Sequence, residues 1–240
     1  MARPTVADLW VDYVETHAVA IEPPDLKPGN PLFDALAERE LILMGESTHG
    51  THEYYQWRAD ISKALIKHAG FRFIAVEGDW SAIAELDRYV RHLPGHADSA
   101  NAVLRQFDRW PQWMWANPVI ESLAEWLHAF NLELPEDKRV GIHGIDVYGW
   151  GDSLAALPGA LEKLQTGWGA EAETQLRELI ALQGDNDAFY RAVMRQQLPQ
   201  QGALDAIYAK LEANKTTLAA NNRHHYWHAR QKTGLIRQAE

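Results

Sequence analysis

The sequence predicts an α/β fold, a parallel or mixed sheet with flanking helices in βαβ units, followed by a helical lobe. Three observations carry this reading. Short apolar runs at 41–44, 71–76 and 140–144 each stop at a glycine or an acid. Amphipathic stretches of helical length separate them. Beyond Gly151 no strand pattern recurs. The predicted boundary places the α/β portion at 1–150 and the helical lobe at 151–240, in one continuous domain.

Residues 4–20 read as a helix, because Trp10, Tyr13, Val14 and His17 recur at helical spacing. EPPDLKPGNPL is loop, and a short helix follows around Phe33–Ala37. Leu41–Met44 reads as a buried strand. Residues 51–70 read as a helix with Tyr54, Trp57, Ile61, Leu65 and Ile66 on its apolar face and Gly70 as C-cap. Phe71–Val76 is the second predicted strand, parallel to the first because strand, helix and strand follow with short loops. Helices are expected at 81–93 and 117–131, the latter with Asn117 as N-cap before Pro118. Val140–Gly144 is the third strand. Residues 153–166, 171–183, 185–197 and 203–232 favour helix.

Composition narrows the function. A net charge of −10 argues against nucleic acid or an anionic membrane as partner. No apolar run is long enough to span a bilayer. The chain has no cysteine, so disulfides, thiolate metal sites and a cysteine nucleophile are excluded. With no signal-peptide pattern at MARPTVADLWVDYVE, a cytoplasmic chain is expected.

In an open parallel sheet, ligands bind at the carboxyl ends of the strands. Glu46, Ser47, Thr48 and His49 follow the first predicted strand, Glu77 and Asp79 the second, and Asp146 the third, with His143 inside it. Three strand ends thus supply carboxylates and a histidine to one edge. Helix capping by Ser47 or Thr48 is the plain alternative. The imidazole of His49 can serve as a general base, and Glu46 or Glu77 can hold its tautomer. Arg58, on the next helix, can pair with a carboxylate or face a developing oxyanion, or be a surface ion pair. Attack by Ser47 or Thr48 ranks below water activation, since GESTHG lacks the G-x-S-x-G elbow. Bound divalent metal is the rival chemistry for Glu46, His49, Glu77 and Asp146. His224, His225 and His228 form HHxxH, but without an intervening Glu and beside Asn221, Asn222 and Arg223 they read as solvated surface. In the aromatic cluster Phe107, Trp110, Trp113 and Trp115, the expectation is that Trp110 and Trp113 stand at the cleft rim and the rest pack inside.

GESTHGTHEYYQWRADI followed by GFRFIAVEGDW resembles the erythromycin esterase family: a Gly-Glu-x-x-His-Gly turn, an Arg in the next helix and a Glu ending the next strand. PQWMWANPVIESLAEWLHAFN and GIHGIDVYG are similar to it too, so the resemblance covers residues 38–150. It implies a carboxylic ester hydrolase acting on a small-molecule ester or macrolide lactone, as in antibiotic resistance, through a histidine-activated water and without a cofactor or metal. By the same resemblance His49 is the base, Glu46 and Glu77 orient it or the water, and Arg58 supports the site. Asp79, Trp110, Trp113 and Asp146 are the expected substrate-binding residues. Members of that family are longer than this chain, which is expected to match the N-terminal part of the family domain. A non-catalytic metal- or ligand-binding module, or an inactive shortened member, is the alternative.

Overall fold

The computed structural model describes residues 5–18, 26–108, 112–146, 149–182, 185–195, 197 and 201–238. It is a mostly helical chain with a two-stranded parallel sheet. Two compact units divide it, Met1–Phe71 and Arg72–Glu240.

The first unit holds three helices among its described residues, α1 (Val6–His17), α2 (Pro31–Ala37) and α3 (His52–Ala69). Thr5 and Asp8 cap α1 reciprocally: the Thr5 hydroxyl accepts from the Asp8 N–H and the Asp8 carboxylate from the Thr5 N–H. The helix forms as its periodicity predicts, yet none of its residues is buried. Asn30 caps α2 ahead of Pro31, and Phe33 packs edge-on to His68 of α3. Gly70 ends α3 in the left-handed region, φ 76°, which a residue with a Cβ rarely adopts. The buried face of α3 is Tyr55, Ala59, Ser62, Leu65 and Ile66. The expected face agrees over its last turn and is rotated over its first two. Small Ala59 and Ser62 face inward there, and Tyr54 is exposed.

The expected strand at Leu41–Met44 is not present: this stretch is neither helix nor strand, with Leu41 and Leu43 74% and 85% exposed. A strand is defined by its ladder of hydrogen bonds to a neighbour, and four apolar residues in a row do not supply one. The βαβ unit expected around 41–76 is therefore replaced. The parallel pair is instead β1 (Phe73–Asp79) with β2 (Gly141–Asp146), in the second unit.

Between these strands run α4 (Trp80–Val90), α5 (Ala100–Leu104) and α6 (Pro118–Leu132). Asn117 caps α6 through its side-chain oxygen, which accepts from the N–H groups of Val119 and Ile120. α4 lies against β2, α5 and α6, and buries Ile83, Leu86 and Val90 beside Val103, Leu123, Leu127 and Ile142. Fully buried Asn131 joins this layer. Its amide donates to the carbonyls of Val90 and Val140, at 2.7 and 2.9 Å, and accepts from the Val140 N–H at 2.7 Å. Pairing along the strands runs from Phe73 with Gly141 to Val76 with Gly144, then shifts register before Asp79 meets Asp146.

The lobe comprises α7 (Trp150–Glu162), α8 (Trp168–Gln175), α9 (Arg177–Ile180), α10 (Asn186–Met194), α11 (Gln201–Ala213) and α12 (Lys215–Gln238). The stretch predicted as one helix over 203–232 is thus two, and α12 bends at Asn222, whose φ/ψ is not helical. Trp150 stacks on Phe189 at 3.6 Å, and Leu154, Leu157, Leu161, Leu204 and Tyr226 complete a core against which Trp80 of α4 also packs. Among the described residues no helix is long and apolar enough to cross a membrane.

Candidate active site

The chain from Gly45 to Thr51 turns tightly into α3, with Gly50 at φ 82°. Thr51 is the N-cap, and its hydroxyl bonds that of Thr48 at 2.5 Å. Neither Ser47 nor Thr48 caps the helix. The turn instead brings Glu46 under His49. Glu46 Oε1 engages His49 Nδ1, and Oε2 lies 2.5 Å from the Arg58 guanidinium. Arg58 stands two turns into α3 on the same side as Tyr55, and its guanidinium covers the Tyr55 ring at 4.6 Å. The Tyr55 hydroxyl in turn accepts from the Gly50 N–H at 3.5 Å. Burial pushes the Tyr55 phenol above its ordinary pKa, against the pull of that Gly50 bond.

One carboxylate therefore holds both an imidazole and a guanidinium. The Glu46 side chain is 9% exposed and that of His49 49%. The buried acid is the anchor and the ring is the part presented to solvent. With Nδ1 engaged, Nε2 is the nitrogen left to meet a water or a substrate. A carboxylate beneath Nδ1 fixes the tautomer in which Nε2 can accept a proton. Tyr55 escaped the sequence reading, although its spacing of three residues from Arg58 puts both on one helical face.

In the second unit Glu77 and Asp79 lie in the last residues of β1, where the sequence placed them just beyond a strand ending at Val76. Asp146 ends β2 opposite Asp79. Asp79 is the N-cap of α4: Oδ1 accepts from the Ser81 N–H and hydroxyl at 3.0 Å and from the Gly149 N–H at 3.1 Å. Burial, and then the charges of Glu77 and Asp79, push the Asp146 carboxyl above its ordinary pKa. These three carboxyls thus share one electrostatic environment at the carboxyl end of the sheet. His143, nearer the start of β2, stacks on Phe73 at 4.9 Å and is pushed below its ordinary pKa by burial, against the pull of Asp87.

Trp113 is exposed on a 3₁₀ turn, Gln112–Met114. Trp110 lies outside the described residues. The aromatic that reaches the sheet end is Trp115, whose Nε1–H donates to the Glu77 carbonyl at 2.6 Å. This contact requires Gly78, since a Cβ there would stand 2.8 Å from Trp115 Nε1. In the HHxxH stretch, His224 bonds Glu136 at 2.7 Å while the His228 ring lies 5.9 Å from that of Trp80.

The fold is similar to that of solved proteins. A Bacillus cereus protein matches with a TM-score of 0.68 and 21% identity, over 98% of this chain and 56% of its own. A succinoglycan biosynthesis protein matches with a TM-score of 0.70 and 17% identity, over 99% of this chain and 57% of its own. At these identities the likeness is one of fold, and this chain spans a little over half the length of either relative. The family model for erythromycin esterase matches residues 66–240, a stretch that carries Glu77, Asp79, Trp113 and Asp146 and begins beyond Arg58. With almost three quarters of its length so matched, this chain belongs to the erythromycin esterase family.

Proposed function

We propose that the chain hydrolyses a carboxylic ester, with a macrolide lactone as the first substrate to try, by water that His49 activates. The observation that carries this reading is the double engagement of Glu46 by His49 and Arg58. A half-exposed imidazole with Nδ1 engaged supports a base role for Nε2, and family membership supports ester hydrolysis as the reaction class. In the proposed mechanism Nε2 takes a proton from water as the oxygen attacks the ester carbonyl. Glu46 stabilises the imidazolium that forms, and the leaving alcohol recovers the proton. Arg58 holds Glu46 in place.

The test is mass spectrometry of a macrolide lactone and a simple aryl ester after incubation with the wild type and with His49→Ala, in buffer containing a chelator. Gain of one water with the wild type, and loss of at least about 100-fold in rate with the variant, is expected. Equal rates for the two proteins, or no product with either, would contradict the proposal.

A further inference from the structure

Three histidines crowd together where α4 ends, and none of them belongs to the candidate active site. His92 and His96 lie in the segment between α4 and α5, and His128 stands on α6. The ring centroids of His92 and His128 are 3.8 Å apart, and the His96 ring lies 5.9 Å from each. Tyr89 of α4 closes the column, stacked on His128 at 4.2 Å with the planes 8° apart. Among the described residues no three His, Cys, Asp or Glu side chains are placed to hold a metal ion. The chemistry these rings share is proton uptake.

Hydrogen bonds fix where each ring carries its proton. A carbonyl oxygen only accepts, so the ring nitrogen facing it is the donor. His92 Nε2–H donates to the His128 carbonyl, and His128 Nδ1–H to the Tyr89 carbonyl, both at 2.9 Å. The pair thus cross-links the end of α4 to α6 in both directions. His96 Nδ1–H donates to the Ala97 carbonyl at 2.7 Å. A further proton must enter at Nδ1 of His92 or at Nε2 of His128 or His96. The backbone at His92 is constrained as well. Its φ of 54° is left-handed, a conformation that a residue with a Cβ keeps when its surroundings hold it there. The bond to the His128 carbonyl and the stack on the His128 ring supply that hold.

The charges around the stack favour neutral rings. Arg139, just before β2, acts on His92 and donates to the Arg91 carbonyl at 2.7 Å. Glu125 of α6 accepts from the Tyr89 hydroxyl at 2.7 Å and from the Ala100 N–H at 2.8 Å. On α4 and its cap, Arg88 meets Glu85 at 3.2 Å and the Pro94 carbonyl at 2.9 Å, and Arg91 meets Asp87 at 3.3 Å. His92 is pushed below its ordinary pKa by burial, against its bond to the His128 carbonyl, and further by the charges of His128, Arg139 and His96. A second imidazolium in contact with the first is opposed again by like-charge repulsion.

We infer that the stacked His92 and His128 rings form a pH-sensitive clasp, which holds the 91–99 segment onto α6 while the rings are neutral and releases it when both are protonated. In the released segment His92 regains its ordinary pKa, so the open form binds more protons. Closure is therefore fully present above the ordinary histidine range and is lost as pH falls through the lowered value of the closed form. The clasp lies wholly within the second unit and stands independently of ester hydrolysis.

The test is hydrogen exchange of the whole chain at about pH 7.5 and about pH 5, read by mass spectrometry and corrected for the intrinsic pH dependence of exchange. Peptides covering 88–100 should lose protection at least about tenfold at the lower pH, while those covering 153–161 of α7 keep theirs. The loss should disappear in His92→Asn, since Asn tolerates the left-handed backbone, and in His128→Gln. Ring resonances provide a second reading. His92 and His128 should titrate as a coupled pair in the wild type, and the remaining ring should titrate singly in either variant. Melting curves at the higher pH establish that both variants fold. Equal protection of 88–100 at the two pH values in the wild type, or an undiminished loss in the folded variants, would overturn the inference.

Discussion

Replacement of Glu46 by Gln tests the arrangement at the mouth of α3 most searchingly. The carboxylate accepts from His49 through one oxygen and pairs with Arg58 through the other. Glutamine keeps one acceptor and turns an amide NH₂ toward one of the two donors. One bond to a charged or polar partner is therefore lost and one donor is left facing another. Hydrogen bonds to charged groups contribute roughly 1.5–3 kcal/mol each, and breaking a fully buried pair costs about 3–5 kcal/mol. Here the Arg58 side chain is 22% exposed and His49 is half-exposed, so solvent takes up part of the loss and the low end applies. A destabilisation of about 2 kcal/mol follows, equivalent to a fall in Tm of roughly 4–8 °C for a chain of this size. On the proposed mechanism kcat falls by about 100-fold or more, because the base loses its fixed tautomer, while KM changes little. The assays are thermal melting by circular dichroism and ester hydrolysis, with Arg58→Met and the double variant completing a cycle. A coupling of at least about 1 kcal/mol between Glu46 and Arg58 is expected. A Glu46→Gln protein that melts within about 1 °C of the wild type and adds independently to Arg58→Met would contradict a shared Glu46 anchor.

Two further outcomes follow from the second unit. Asn131→Leu leaves two buried carbonyls and one buried N–H without their partner, so chemical denaturation should show a loss of about 3 kcal/mol or more. Asp146, held above its ordinary pKa by burial and then by Glu77 and Asp79, binds its proton more tightly in the folded chain than in the unfolded one. Its ionisation therefore removes stability as pH rises from the ordinary carboxylate range through its raised folded value. Asp146→Asn should be more stable than the wild type above that window and lose the advantage below about pH 4, as read from denaturation midpoints across pH.

Much of this architecture was legible because it rests on local chemistry. Asn117 before Pro118 and Gly70 after Ala69 mark helix ends by capping, and both stand where the residues indicate. Glu46, His49 and Arg58 were identified together, from the turn and from the family resemblance, and one carboxylate does engage the other two. Leu41–Met44 misled because apolarity alone does not provide a strand partner. The sheet that forms pairs segments more than 60 residues apart, Phe73 with Gly141, and no local signal reports such a pairing. The inward face of α3 was misread because Ala59 and Ser62 carry little hydrophobic signal while Tyr54 and Trp57 carry much. The burial of Lys232 on α12, 6% exposed, was invisible for a related reason. A lysine on a polar helix reads as surface, and its burial follows from how α12 packs on α7 and beside Trp80.

On the proposed mechanism, water activated by His49 attacks the ester carbonyl. The most direct measurement is hydrolysis of an aryl ester in ¹⁸O-labelled water, with mass spectra of both the acid product and the intact protein. One labelled oxygen in the acid, no acyl group on Ser47 or Thr48 at any time, and loss of the labelled product in His49→Ala are expected. An acylated Ser47 or Thr48, or labelled product formed equally well without the His49 imidazole, would contradict it.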